Sequence, residues 1–310
     1  MSPTKLGAVV VGSGFIANRH AGALREAGIP VLGVYSRSER NAATAAARWG
    51  THAFADIETL LDADGASHVH ICTPTTNHQE MVSKGIQRGL AIVCEKPLTV
   101  DGESAALLAR KAAAVGVENY VTFNRRYDQG IQLFRTLVQD GEIGEAVAVF
   151  GSYQQEWNAA PSSYDWRFDP DQVGPSRVIS EIGSHWLDLA THVLVDDSIT
   201  AVSALTKNMG ERVYKQGQKT GTFTPVNEDL FASMLRFRNG AVGSVFATQL
   251  AQGAWDDILL RVDGTKGSLT WNSRSPGRVS LAHKGAGFDG TWQWRRLALG
   301  RRHDRVDLQR

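Results

Sequence analysis

The stretch Ala8-Val9-Val10-Val11-Gly12-Ser13-Gly14-Phe15-Ile16-Ala17 decides the fold. A short β-branched run ends on G-x-G-x-x-A, and helical spacing follows from Ile16 to Ala27, stopping at Gly28. Each small residue of that turn has a physical use. Gly12 permits a tight strand-to-helix turn, Gly14 lets backbone approach a pyrophosphate, and Ala17 allows the helix to pack closely. The helix start, with Phe15 and Ile16 in its first turn, presents unpaired N–H groups and the positive dipole end to phosphates. The pattern predicts dinucleotide binding.

Working outward, strand and helix signals alternate. Strands are predicted at Val31 to Tyr35, Ser67 to Cys72, Ala91 to Cys94 and Glu118 to Thr122. Helices are predicted at Glu39 to Trp49, Gln79 to Arg88 and Ser104 to Val115. That alternation implies a doubly wound parallel sheet, the Rossmann arrangement. After Phe123 the pattern changes. One helix is predicted from Gln129 to Asp140 and another near Ser184 to Leu194. Strands dominate elsewhere: Ala146 to Tyr153, Leu230 to Arg236, Ala241 to Leu250, Ile258 to Val262 and Ser268 to Trp271. Turns at Arg238-Asn239-Gly240 and Asp263-Gly264-Thr265 separate some of them, which implies a mostly antiparallel sheet. The expected fold is therefore α/β plus α+β. Residues 1–123 form a dinucleotide-binding domain, and 124–310 an open-faced sheet domain for substrate and oligomer contacts.

The end of the second strand bears on which dinucleotide binds. An acid there commonly holds the ribose 2′-hydroxyl of NAD. This chain has Tyr35-Ser36-Arg37-Ser38, and Ser36 with Arg37 suits a 2′-phosphate through charge-assisted hydrogen bonds. NADP is favoured over NAD on this reading.

Composition narrows the partners. Of 310 residues, 42% are hydrophobic and 21% charged, which suits a globular protein with a sizeable core. Lys and Arg total 33 against 32 Asp and Glu, so nothing points to nucleic acid or an anionic membrane. Arg295, Arg296, Arg301, Arg302, Arg305 and Arg310 crowd the C-terminus and read as a solvated tail. Cys72 and Cys94 each end an apolar run, lack metal-ligand spacing and suit a reducing compartment. No bound metal, no membrane span and a cytoplasmic location are expected.

Further motifs carry a family resemblance. Thr73-Pro74-Thr75-Thr76-Asn77-His78 follows the fourth strand signal and Glu95-Lys96-Pro97 the next. Phe123-Asn124-Arg125-Arg126-Tyr127 and Glu181-Ile182-Gly183-Ser184-His185-Trp186-Leu187-Asp188 come later. With the glycine turn, these resemble the glucose–fructose oxidoreductase/inositol dehydrogenase/rhizopine-catabolism (Gfo/Idh/MocA) family, in order along nearly the whole chain. Gly151-Ser152-Tyr153-Gln154-Gln155-Glu156-Trp157, Trp166-Arg167 and Gly264 to Trp271 are similar to its levoglucosan dehydrogenase-like subgroup. Such relatives usually continue for tens of residues beyond the position of Arg310, which implies further terminal strands.

The resemblance implies hydride transfer between nicotinamide and a hydroxyl of a sugar, anhydrosugar or cyclitol. Two other outcomes are a NAD-assisted glycoside hydrolase of the same fold and a non-catalytic dinucleotide-binding regulator. It implies a cofactor set of Gly12, Gly14, Phe15, Ile16, Ser36, Arg37, Thr73, Pro74, Asn77, His78, Glu95 and Lys96. It implies catalytic roles for Lys96, Glu181 and His185. The chemistry agrees: a histidine has the pKa of a base near neutral pH, and a lysine steadies developing alkoxide charge. Glu181 stands four residues before His185, so on an α-helix they share a face. Family members usually carry Asp there. Asn124, Tyr153, Gln155, Trp166 and Arg167, with Arg126 and Tyr127, are expected to form a polar sugar wall. Trp157, Trp166 and Trp186 are candidates for stacking on a pyranose ring, with core packing as the alternative. The open sheet face implies a homodimer or tetramer.

Overall fold

The computed structural model describes residues 6–159, 165–195, 197–216, 219–284 and 292–298. The chain divides into two compact units. One is Met1–Thr122 with Asp169–Pro175, and the other is Phe123–Phe168 with Ser176–Arg310. Arg301, Arg302, Arg305 and Arg310 of the arginine-rich end lie outside the described residues.

The first unit contains β1 (Ala8–Val11), α1 (Phe15–Glu26), β2 (Val31–Tyr35), α2 (Glu39–Trp49), β3 (His52–Ala53), α3 (Ile57–Leu61), β4 (His68–Ile71), α4 (His78–Gln87), β5 (Ala91–Cys94), α5 (Gly102–Val115) and β6 (Asn119–Val121). All strands pair in parallel, in the order β3-β2-β1-β4-β5-β6. β1 is buried along its whole length, as expected of a central strand covered on both faces. Helix ends follow local chemistry. Ser38 and Asp101 cap the starts of α2 and α5, while Gly50 and Gly116 close their ends in the left-handed region. β3 and α3, of two and five residues, escape sequence reading because neither is long enough to repeat its own pattern.

The second unit contains α6 (Gln129–Gln139), β7 (Ala146–Gln154), α8 (Ser184–Val193), β8 (Ile199–Lys207), β9 (Arg212–Gln216), β10 (Lys219–Phe223), β11 (Leu230–Phe237), β12 (Val242–Thr248), β13 (Asp257–Gly264), β14 (Gly267–Asn272), β15 (Arg278–Lys284) and β16 (Trp292–Ala298). Eight strands form one sheet in the order β16-β15-β14-β13-β7-β12-β11-β8. It is antiparallel except between β7 and β12, where the chain returns beside its first strand. α6 and α8 cover one face over a core that includes Phe134, Trp186, Leu189, Phe231, Leu260 and Trp271. Registered pairing places Leu205, Ala232, Phe246, Ser152 and Leu259 in one row across five strands of the other face. Leu205 is 78% exposed and neighbouring Met234 60%. β8 lacks an apolar alternation because it is an edge strand exposed over most of its length.

The division differs from a single cut at Phe123. α7 (Pro170–Val173), capped by Asp169, belongs to the first unit. There Thr76 Oγ1 shares its hydrogen between the carbonyls of Asp171 and Gln172, at 3.0 and 3.2 Å.

Candidate active site

In the first unit, the C-terminal strand edge assembles the predicted cofactor residues. The order of strands reverses between β1 and β4, the position where such sheets bind ligands. Gly12 adopts φ +115°, and a Cβ there would lie 2.5 Å from the Cys72 carbonyl oxygen, so both turn and packing demand glycine. Gly14 is different. A Cβ on it would meet nothing within 4 Å, and its backbone is extended, so no protein contact explains the glycine. The open space over the helix start fits a phosphate cradle. Thr73 Oγ1, in the loop after β4, is buried without a hydrogen-bond partner. Phe15, Arg37 and Asn77 are exposed, and Ile16, Ser36 and Pro74 half-buried. Ser13 Oγ and Ser36 Oγ are hydrogen-bonded at 3.0 Å.

His78 leaves the cofactor set. It is 1% exposed, and its ring nitrogens lie 2.8 Å from the Pro97 carbonyl and 2.9 Å from the Thr73 carbonyl. Burial holds its pKa down against those two carbonyls. It braces the Thr73 loop to the Lys96-Pro97 loop. Lys96 follows β5, and its N–H donates to Glu95 Oε2 at 3.2 Å.

In the second unit, Glu181 and His185 do not share one regular α-helical turn. Glu181 lies in a π-helical turn, Ile179–Gly183, where the Ser184 N–H reaches back to the Ile179 carbonyl. Such wider turns recur at functional sites because they re-aim the side chains around them. The turn is anchored from outside itself. Glu228 Oε1 accepts from Ser176 Oγ, the Arg177 N–H and the Ile179 N–H at 2.9, 3.0 and 2.8 Å. His185, in the first turn of α8, meets Phe123 edge-on at 5.9 Å and Tyr153 at 6.4 Å.

Glu181 accepts from Arg167 Nε at 2.9 Å and Gln249 Nε2 at 2.7 Å. The orientation of Gln249 is fixed, because its Oε1 accepts from Arg177 Nη1 at 2.9 Å and a guanidinium only donates. Its Nε2 then also reaches Gln155 Oε1 at 3.2 Å. Gln155 Nε2 in turn donates to Asp256 Oδ1 at 2.8 Å, beside the Tyr153 hydroxyl at 2.6 Å and the Arg125 guanidinium. Tyr153 and Gln155 are thus buried and held by neighbours. Burial and the facing Asp256 carboxylate push the Tyr153 phenol well above its ordinary pKa, so it is a hydrogen-bond donor and not a base. Asn124, Tyr127 and Trp157 are exposed, as is Trp166, under which the Arg167 guanidinium stacks at 4.7 Å. Trp186 is 0% exposed and donates to the Leu259 carbonyl at 2.8 Å, so it belongs to the core and not to a stacking platform. Asp188 binds Arg126 through both oxygens, at 2.8 and 2.6 Å.

Gln249, Asp256, Glu228 and the buried pair Arg177–Asp229 do not stand out in the sequence. The run Asn227-Glu228-Asp229 leading into β11 is the one signal there, since three adjacent polar groups before an apolar strand need partners. Among the described residues no cluster of ligating side chains suits a metal ion, and no helix is long and apolar enough to cross a membrane.

A glycine turn with an open cradle at the switch point of a parallel sheet defines the dinucleotide-binding class of enzyme. A family model described as "Oxidoreductase family, NAD-binding Rossmann fold" matches residues 6–123, and one described as "GFO/IDH/MocA C-terminal domain" matches 131–270. Levoglucosan dehydrogenase of Pseudarthrobacter phenanthrenivorans is 30% identical over 294 residues, covering 88% of this chain and 75% of the relative. Glucose-6-phosphate 3-dehydrogenase of Bacillus subtilis is 24% identical over 192 residues, covering 62% of this chain and 54% of that protein. Among solved structures, levoglucosan dehydrogenase in complex with NADH and L-sorbose superposes with a TM-score of 0.86 at 27% identity, over 95% of this chain and 80% of that one. The chain belongs to the Gfo/Idh/MocA family of NAD-binding oxidoreductases, in its levoglucosan dehydrogenase-like part.

Proposed function

We propose that this enzyme oxidises one hydroxyl of an uncharged sugar, anhydrosugar or cyclitol to a ketone, or runs that reaction in reverse. The observation that carries the substrate class is charge matching around the candidate wall. Arg125 faces Asp256 and Asp128, Arg126 faces Asp188, and Arg167 faces Asp165 and Glu181. A guanidinium already matched by a carboxylate favours neutral hydroxyls over a phosphate or carboxylate on the substrate. The relatives named levoglucosan dehydrogenase and glucose-6-phosphate 3-dehydrogenase stand on either side of that distinction.

In this reading His185 takes the hydroxyl proton, Lys96 holds the same oxygen, and Glu181 orients the donors around it. The nicotinamide, when bound, supplies hydride exchange. The chain binds it through Gly12, Gly14, Phe15, Ile16, Ser36, Arg37, Thr73, Pro74, Asn77, Glu95 and Lys96. A second copy of the chain covers the row of Leu205, Phe246 and Leu259 to give a dimer or tetramer, which light scattering at micromolar protein checks.

Levoglucosan, glucose, myo-inositol and glucose 6-phosphate, each with NAD and NADP, make the deciding panel, with reduced cofactor as readout. At least one uncharged compound gives turnover and the phosphate does not. Lys96→Ala and His185→Ala each lower kcat by about 10²–10⁴-fold while cofactor still binds. Near-normal turnover in both variants sinks the assignment. Ser36 and Arg37 support use of NADP. Arg37→Ala then weakens NADP about ten- to a hundredfold more than NAD, the size of one charge-assisted hydrogen bond. Unchanged NADP affinity removes that preference.

A further inference from the structure

Three histidines and a glutamate meet inside the first unit, and the site reading uses only the glutamate. His20 lies in the second turn of α1, with its side chain 10% exposed. Its Nε2 is 3.0 Å from Glu95 Oε1, and its Nδ1 is 2.8 Å from His70 Nδ1. His70, on β4, is 8% exposed, and its Nε2 has no hydrogen-bond partner. His68 lies next to it, with ring centroids 5.2 Å apart. Glu95 is held at both ends. Its N–H completes the ladder to the Ile71 carbonyl at 2.9 Å, and its second carboxylate oxygen accepts the Lys96 N–H at 3.2 Å.

We propose that His20 is a positioning residue for the reaction: it fixes the Glu95 carboxylate and, through it, the backbone from which the Lys96 side chain departs.

The proton positions follow from what each group can do. An ionised carboxylate only accepts, so His20 Nε2 carries hydrogen and donates to Glu95. The Nδ1 of a neutral His20 is then an acceptor, and His70 must donate from its own Nδ1. That leaves a bare lone pair on His70 Nε2, the ring atom with no partner. A buried acceptor without a partner is tolerated better than a buried N–H without one. The opposite arrangement, with His20 doubly protonated, forces hydrogen onto His70 Nε2 where nothing receives it. Charge agrees with geometry. Burial pushes the Glu95 carboxyl up, but the His20 hydrogen bond, the Thr122 hydroxyl and the nearby Lys96 charge together outweigh it, and the net shift is downward. Burial, with His20 and His68 beside it, takes the His70 pKa down to about 3, so His70 stays neutral and keeps its donor.

A filler role for His20 predicts only lost stability when it is replaced by an apolar residue of similar size. A positioning role predicts lost turnover that a substitute donor restores. The proposal rests on Lys96 acting on substrate, so Lys96→Ala is run in parallel on levoglucosan, glucose and myo-inositol. His20→Met is expected to lower kcat about ten- to a hundredfold, with KM and NADH affinity by fluorescence titration within about threefold of wild type. His20→Gln, whose amide N–H can take the place of Nε2, is expected to recover kcat to within about threefold. Nitrogen-15 NMR of the wild-type histidines is expected to show His20 neutral with hydrogen on Nε2, a readout that needs neither substrate nor a stable variant. Wild-type kcat in His20→Met beside an inactive Lys96→Ala overturns the inference and leaves the site reading standing. So do a His20→Gln as slow as His20→Met, and hydrogen on His20 Nδ1. Full turnover in Lys96→Ala overturns both.

Discussion

The cofactor edge of the first unit and the buried node of the second hold their polar groups by opposite means. The first unit keeps its functional edge open: Gly14 faces empty space, and Phe15, Arg37 and Asn77 are exposed. On its surface Lys84 and Arg88 meet Glu58 and Asp62 in solvent. The second unit closes one set of polar groups in. Arg177 and Asp229 are both 0% exposed, and Arg212 donates to the same carboxylate. An open cradle costs little to build and waits for a ligand to complete it. A buried ionic node must be complete within the protein, because each member depends on the others for its charge.

The largest test of this contrast removes the buried node. Asp229→Leu leaves Arg177 and Arg212 facing each other without their carboxylate. Breaking a buried pair on one side typically costs ~3–5 kcal/mol. Urea denaturation should therefore show a loss of that order, whereas Arg88→Met on the first unit should leave the midpoint nearly unmoved, since exposed pairs contribute little. Equal losses from the two substitutions would erase the distinction.

The second test separates two glycines that the sequence pattern treats alike. Gly12→Ala is strained by its φ and meets the Cys72 carbonyl, so it should lower the melting temperature. Gly14→Ala meets no protein atom and should melt like wild type, yet weaken NADH by about tenfold or more as the methyl takes the phosphates' space, a change of ~1.4 kcal/mol. Calorimetry and fluorescence titration read the two effects separately. NADH affinity in Gly14→Ala equal to wild type would mean that the cradle lies elsewhere.

What could be read in advance follows the same contrast. The first unit was legible because its information is local: a β-branched run, a glycine turn and a capped helix sit next to one another in sequence. Ser38, Asp101, Gly50 and Gly116 punctuate helices whose periods are plain. The second unit stores information at long range. Gln249 joins Arg177, Gln155 and Glu181, and Asp256 joins Arg125 and Tyr153, with scores of residues between the members of each pair. No periodicity marks such partners. The spacing of Glu181 and His185 was visible, but the π-helical turn that carries Glu181 was not, because no periodicity announces a single wide turn. His78 misled, since a conspicuous motif residue proved to be a brace.

The smallest test concerns acid, and it returns to the first unit. His68, His70 and His78 are all shifted downward from 6.5, each mainly by burial, and His70 falls to about 3. A histidine whose folded pKa is depressed stays neutral in the native state while the unfolded chain takes up a proton. Its stabilisation is full above the unfolded value and is lost as pH falls from about 6.5 toward about 3. For His70 alone the loss reaches ~1.4 kcal/mol one pH unit below the unfolded value. Glu95, with its carboxyl held below the ordinary range, loses stability in the same direction, but only as pH falls through its unfolded value of 4.5 and below. His70→Asn keeps an N–H for His20 and removes the titration. Urea midpoints at about pH 7.5 and about pH 5.5 should therefore fall less in His70→Asn than in wild type, by ~1 kcal/mol. Identical falls in the two proteins would show that His70 binds its proton as readily folded as unfolded, and the first unit's interior would then be as open to water as its edge.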